Sequence, residues 1–281
     1  MIFLTHLWDA ILDAFIDTAK LLPFLYISYL LIEFLEHRGK EKTRKWIAGA
    51  GKAGPAIGGL LGLVPQCGFS GAAAGLYCAG TITLGTLLSV FLSTSDEMLP
   101  ILLTGGVKPL LLTKLLLCKA VFGALCGFLI DLVYRKRDDH DHIHEMCEKE
   151  HCACEGHSIF LAALIHAAKI AAVILGVSVV LNLLFSYWSI TEIFVGLPVV
   201  GELLAALLGL IPNCAVSVVL SKLYLAGSIP ASVMLSGLFV NAGVGLLVLF
   251  RMQGSVRKSL TVTALLYAVG VAGGLLCGLL F

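Results

Sequence analysis

Two stretches of this chain are copies of one another, and that restricts the fold more than any other feature. Residues 60–82 read LLGLVPQCGFSGAAAGLYCAGTI and residues 207–229 read LLGLIPNCAVSVVLSKLYLAGSI; without a gap, 12 of 23 positions are identical. The identities include Pro65/Pro212, Cys67/Cys214, Ser70/Ser217, Tyr77/Tyr224 and Gly80/Gly227, with Gln66 facing Asn213. The match continues through Leu88/Leu235 and Ser89/Ser236, and upstream DTAKLLPF (17–24) sets Lys20 against Lys169 of HAAKIAAV (166–173). Apolar composition alone yields chance Leu and Gly matches, but not a collinear Pro-amide-Cys followed by Leu-Tyr and Ala-Gly. An internal duplication follows.

The duplicated unit is built for lipid. Of 281 residues 59% are apolar and only 13% charged, more apolar surface than a soluble domain can bury. Stretches long enough to span recur at Leu21–Leu35, Leu110–Val133, Ile159–Leu184, Val233–Phe250 and Leu260–Phe281. The first segment carries acids and no small-residue cleavage site, so it is expected to be retained. The net charge of +1 says little, because charges sit in loops. Cys78, Cys118, Cys126 and Cys277, inside apolar stretches, read most simply as small hydrophobic residues.

Loop charge gives the two copies their orientation. HRGKEKTRKWIAGAGK (37–52) is strongly basic, whereas its counterpart around SYWSITEIFVG (186–196) has no Lys or Arg. Conversely, TGGVKP (104–109) has one Lys and its counterpart RMQGSVRK (251–258) three basic residues. Basic loops stay cytoplasmic, so equivalent loops face opposite sides. The expected fold is an all-α polytopic membrane protein of two inverted-topology repeats, residues 1–134 and 158–281, joined by a cytoplasmic loop, 135–157. Parity then asks for a re-entrant hairpin over about 55–80, turning at Pro65-Gln66-Cys67-Gly68, and one crossing over 82–103. The same scheme serves 199–227 and 228–250. Each repeat has about three crossings plus one hairpin. Both termini fall outside a plasma or inner membrane. A kinked full span in place of the hairpin is the alternative.

Irregular backbone at membrane depth survives only where protein or a wet cavity satisfies it, and inverted-repeat transporters bind substrate there. Gln66, Cys67, Asn213 and Cys214 are therefore candidate ligands: the prolines free upstream carbonyls, the amides add oxygens and the cysteines soft sulfur. The plainer alternative is helix packing by Pro kinks and small residues. A second cluster, Ser93-Thr94-Ser95-Asp96-Glu97, lies between apolar runs. Acids there are costly and point to ion or proton binding, or else Asp96 caps a helix. Asn241, opposite Thr94, is a candidate ligand from the second half, whereas Gly243 stands opposite Asp96, so the acid has no counterpart. Asp17, Lys20, Glu33, His166 and Lys169 are candidates for a proton or ion path. Lys114 and Lys119 also lie within a span, and buried lysines would favour an anionic substrate. The loop adds His140, His142, His144, His151 and His157 to Cys147, Cys152 and Cys154. That composition signals metal affinity rather than a fixed zinc geometry. A disordered linker is the alternative.

The paired P-Q-C and P-N-C breaks, STSDEMLP and HDHIHEMCEKEHCACE together resemble the ten-helix heavy-metal exporter family. Its members are labelled arsenic efflux proteins or manganese transporters and are distantly similar to arsenic permeases. The resemblance covers essentially the whole chain and implies export of a metal or metalloid. The expected function is a secondary, non-enzymatic exporter of a divalent metal such as Mn²⁺ or Zn²⁺, working by alternating access. No Walker-type phosphate loop is present. Asp96 and Glu97 would bind the ion. Trivalent arsenic efflux through Cys67 and Cys214 is the alternative, and metal sensing without translocation another. The expected partners are the bilayer and a transported or regulatory ion (Mn, Zn or As), with no permanent cofactor and no nucleic acid. A homodimer is one assembly such a chain allows.

Overall fold

The computed structural model describes residues 53–64, 68–95, 98–134, 199–213 and 215–279, together with scattered helical residues within 11–30 and 160–180. Among these there is no strand. The helices are α1 (Gly54–Leu61), α2 (Gly68–Cys78), α3 (Leu84–Ser93), α4 (Met98–Thr104), α5 (Pro109–Val133), α6 (Val200–Gly209), α7 (Ala215–Leu225), α8 (Ala231–Val240), α9 (Val244–Met252) and α10 (Val256–Gly278). Among the described residues, four stretches are long and apolar enough to cross a membrane: Leu84–Thr104, Pro109–Val133, Ala231–Met252 and Val256–Gly278. This is a membrane protein. The first and third of these stretches are each two half-helices, α3 with α4 and α8 with α9.

Local chemistry sets the ends of these elements. Proline stands in the first turn of α1 and of α5, where its missing N–H would have had no helical partner anyway. Thr83 caps α3, its hydroxyl oxygen accepting from Thr86 N at 3.2 Å. Both α2 and α7 close through a left-handed glycine, Gly80 and Gly227, each at φ 71°. Thr81 N donates to Leu76 O at 2.8 Å, and Ser228 N to Leu223 O at 3.0 Å. This is one paired-bond helix stop used twice, and it needs a residue without Cβ at the turn.

Side-chain contacts give the direction of each element. A Cβ on Gly54 would meet Thr86, one on Gly58 would meet Ser89 and Val90, and one on Gly62 would meet Ser93. The α1 helix thus runs alongside α3 in the same direction. The short link 79–83 then returns the end of α2 to the start of α3, beside the start of α1. The chain goes out with α1 and comes back with α2. At about 1.5 Å per residue, helices this short reach about half of a roughly 30 Å hydrocarbon core. The second half behaves alike: Gly201 lies against Val233, and Gly209 against Val240 and Asn241. Ser89 donates to Pro55 O at 2.6 Å, and Ser236, its counterpart, to Glu202 O at 2.9 Å.

The half-helices α3 and α8 form the centre, with Leu87, Leu88, Phe91, Leu92, Leu235 and Phe239 all buried. Around them α5 and α10 present Leu117, Leu125, Leu132, Leu260 and Leu276 outward, as lipid-facing helices do. The halves also trade partners. Helix α2 packs on α9, with Gly245 beside Ser70, and α4 packs on α7, with Gly105 beside Leu225.

Two cysteines differ from the simple hydrophobic reading. Cys118 of α5 and Cys277 of α10 form a disulfide that joins the halves, while Cys78 and Cys126 are free. The difference is one of position, since their helices face each other at that level.

Candidate functional site

The polar residues gather where the central spans break. At the first break, Ser93, Thr94 and Ser95 are all buried. The Ser93 hydroxyl donates to Ser89 O at 2.7 Å, and that of Thr94 to Val90 O at 2.7 Å. Ser95 ties the break to the end of α1, its N–H donating to Gly62 O at 3.2 Å and its hydroxyl to Leu63 O at 2.8 Å. The reversing segment between α1 and α2 therefore starts at the break. Each hydroxyl spends its proton on a carbonyl and keeps lone pairs to offer a cation.

The second break is Asn241-Ala242-Gly243. Asn241 is 2% exposed, and its Oδ1 accepts from Gly243 N at 3.2 Å. Its Nδ2 is buried without a hydrogen-bond partner. Gly243 takes φ 51° to make the turn. Asn213, buried just ahead of α7, accepts from Ala215 N at 2.9 Å. It shapes that helix start while remaining at the mouth of the second reversal.

Lys119 links the two breaks. It is fully buried, and its Nζ donates to Thr94 O at 2.5 Å and to Leu238 O at 2.8 Å. It also lies 5.6 Å from the centroid of the Phe239 ring. One carbonyl comes from each half, and both belong to helix ends whose carbonyls have no partner of their own. Lys114, five residues earlier, is exposed.

Two carboxylates missed in the sequence sit at the outer ends of the central helices. Asp131 Oδ2 accepts from the Thr83 hydroxyl at 2.6 Å, and its Oδ1 accepts from Gly85 N at 2.8 Å. This places a negative charge on the positive end of α3. Glu202, 6% exposed, accepts from the Ser232 hydroxyl at 2.7 Å, while its Oε2 is buried with no partner. Neither stood out, because Asp131 ends an ordinary apolar run and Glu202 aligns with Pro55.

The structure thus brings Ser93, Thr94, Ser95 and Asn241 to the breaks, with Asn213 at the start of α7. Lys169 is exposed, among the helical residues 167–169. Outside the described residues fall Gln66, Cys67, Asp96, Glu97, Cys214, Asp17, Lys20, Glu33, His166 and the whole loop of His140, His142, His144, Cys147, His151, Cys152, Cys154 and His157. Among the described residues no three His, Cys, Asp or Glu side chains cluster to hold a metal. What is present is a buried set of carbonyl, hydroxyl and amide oxygens, with one ammonium, between two broken helices.

No curated protein and no solved structure matches the chain. A family model described as "Putative, 10TM heavy-metal exporter" does match, over residues 4–189. The matched stretch runs through α1 to α5, taking in the first break and Lys119, and with more than half its length covered the chain belongs to that heavy-metal exporter family.

Proposed function

We propose that the chain is a secondary exporter of a divalent heavy metal, built from inverted repeats that exchange access to a site between the two helix breaks. The observation that carries this reading is the exchange of partners between halves. Helix α2 returns from the level of the break toward the end where α3 begins. Helix α9 packs along α2 from the same starting level, Gly245 beside Ser70. On this reading α9 leaves the membrane on the side where α3 enters, and α8 enters from the other. The reciprocal pair, α4 on α7, runs the same way. These packings support inversion independently of the loop charges.

On this reading residues 1–134 and 158–281 are the two repeats, and 135–157 is a cytoplasmic loop that gathers metal through its His and Cys. The protein resides in the cell membrane with both termini outside. Asp96 and Glu97, next in sequence to Ser93-Thr94-Ser95, bind the ion with the oxygens of those three, and Asn241, Asn213, Gln66, Cys67 and Cys214 complete the path. Coupling to protons or membrane potential supplies the energy, and the protein is a carrier rather than an enzyme.

Flux in proteoliposomes tests this, with Mn²⁺, Zn²⁺, Co²⁺, Cd²⁺ and arsenite counted by elemental mass spectrometry. Divalent flux that disappears in Asp96→Asn and persists in Cys67→Ser is the expected outcome. Arsenite flux lost with Cys67 would replace the divalent reading. No flux of any ion, with metal still held by the loop, would sink the exporter reading in favour of a sensor.

A further inference from the structure

The ammonium of Lys119 has a second meaning, which its surroundings supply. It is enclosed completely, it meets a carbonyl from each half, and it lies against the Phe239 ring. Thr94 O belongs to the cap of α3 and Leu238 O to the last turn of α8. A helix C-terminus carries roughly half a negative charge. Two of them converging therefore favour a cation between them. Carbonyls at unwound helix ends are also the groups with which carriers hold free alkali ions. In the second half Leu266 stands where Lys119 stands in the first, so the tether exists once. Beside it, the Cys118–Cys277 bond joins α5 covalently to α10.

We propose that Thr94 O, Leu238 O and the Phe239 ring form a monovalent-cation site shared by the two halves, and that the Lys119 ammonium occupies it as a covalently tethered cation. The site needs no sodium or potassium from solution while Lys119 is there. It becomes a sodium or potassium site when the side chain is shortened. Only its consequence for transport rests on the exporter reading; occupancy of the site does not.

The test compares wild type, Lys119→Ala and Lys119→Met, purified in detergent and melted in NaCl, KCl and choline chloride of equal ionic strength. Lys119→Ala leaves room for an ion. It is expected to melt roughly 5 °C or more below wild type in choline and to recover at least about half of that, saturably, in sodium or potassium. Lys119→Met fills the space without charge, so it should melt low and gain nothing from either ion. Wild type should melt alike in all three salts. The proposal is overturned if Lys119→Ala melts alike in all three, gains no more than Lys119→Met, or stays unfolded even in saturating sodium and potassium. A second arm needs no variant: wild-type Mn²⁺ or arsenite flux should be unchanged when choline replaces both alkali ions, and a requirement for sodium would overturn the filled site. Absence of any flux counts against the exporter reading alone and leaves the melts to decide.

Discussion

Replacing glycine by alanine inside a helix ordinarily stabilises it by about 0.5–1 kcal/mol, because glycine gives up more backbone freedom on folding. At Gly127 and Gly274 the sign should reverse. A Cβ on Gly127 would lie 2.5 Å from Gly85 O and 2.9 Å from the side chains of Pro55 and Ser89. A Cβ on Gly274 would lie 2.5 Å from Ser236 Cα. Ordinary contact begins near 3.4 Å, and the nearest atoms are backbone or bonded directly to it, so no rotamer change relieves the overlap. The paired helices must part by about 1 Å, and overpacking of this kind costs about 1–3 kcal/mol. After the propensity gain is subtracted, Gly127→Ala and Gly274→Ala should each lose about 1–2 kcal/mol, or roughly 2–8 °C in Tm. Gly176 is the control: it is helical and exposed, and its Cβ would meet nothing within 4 Å. There the substitution should raise Tm slightly. Thermal unfolding in detergent, followed by intrinsic fluorescence, reads all three. Both tight variants melting at or above wild type would refute the close approach. A loss in only one would refute the equivalence of the two positions.

Single cysteines at Ala53 and Thr81 should react with an impermeant maleimide from one side of the membrane, and cysteines at Val200 and Ser228 from the other. Labelling of Ala53 and Thr81 from opposite sides would rule out the reversal, and labelling of all four from one side would rule out inversion. A protease site placed within 135–157 should give two fragments that stay together on a non-reducing gel and separate on reduction or in Cys277→Ser, since Cys118 and Cys277 flank that loop. Fragments that separate without reductant would show that the bond is absent. Asp131→Asn removes the charge from the start of α3 and sets an amide where two donors now point. A loss of about 1–3 kcal/mol is expected, and Thr83→Ala in that background should cost less than it does alone. Equal costs in the two backgrounds would deny the shared contact.

The duplication was legible because equivalent positions do the same structural work in each half. Gly80 and Gly227 make the same turn, and Ser89 and Ser236 bind the carbonyls of equivalent residues, Pro55 and Glu202. The breaks in the central spans were only half legible. Hydropathy runs on across Thr94 and Asn241, so a reading by length sees one crossing over 82–103 and another over 228–250. Neither break carries a proline to advertise it. The polar cluster at Ser93–Glu97 was read as an ion site with Asn241 among its ligands, but neither was read as a break in a helix. Lys114 and Lys119 were both read as lying within a span, but which of them is buried could not be read. Lys114 and Lys119 are five residues apart and so lie on different faces of α5, and only tertiary packing decides which face turns inward. The Cys118–Cys277 pair was hidden for another reason: the two are not equivalent positions, so the repeat gives no hint of their meeting.

The departures from equivalence bear on mechanism more than the matches do. Lys119 faces Leu266 in the alignment of halves, Asp131 faces Gly278, and Glu202 faces Pro55. Each difference puts one charge into a buried or half-buried place where its counterpart is neutral. A carrier whose inverted halves were identical would have two end states related by symmetry, equal in energy apart from what the membrane potential and gradients impose. Charges present once remove that equality, because their partners need not survive the exchange: Thr94 O with Leu238 O for Lys119, the start of α3 for Asp131, Ser232 for Glu202. Under the exporter reading, these three residues therefore contribute to the resting preference for one side. Breaking one partnership, as in Ser232→Ala beside Glu202, should shift that preference even though the transported ion touches neither group.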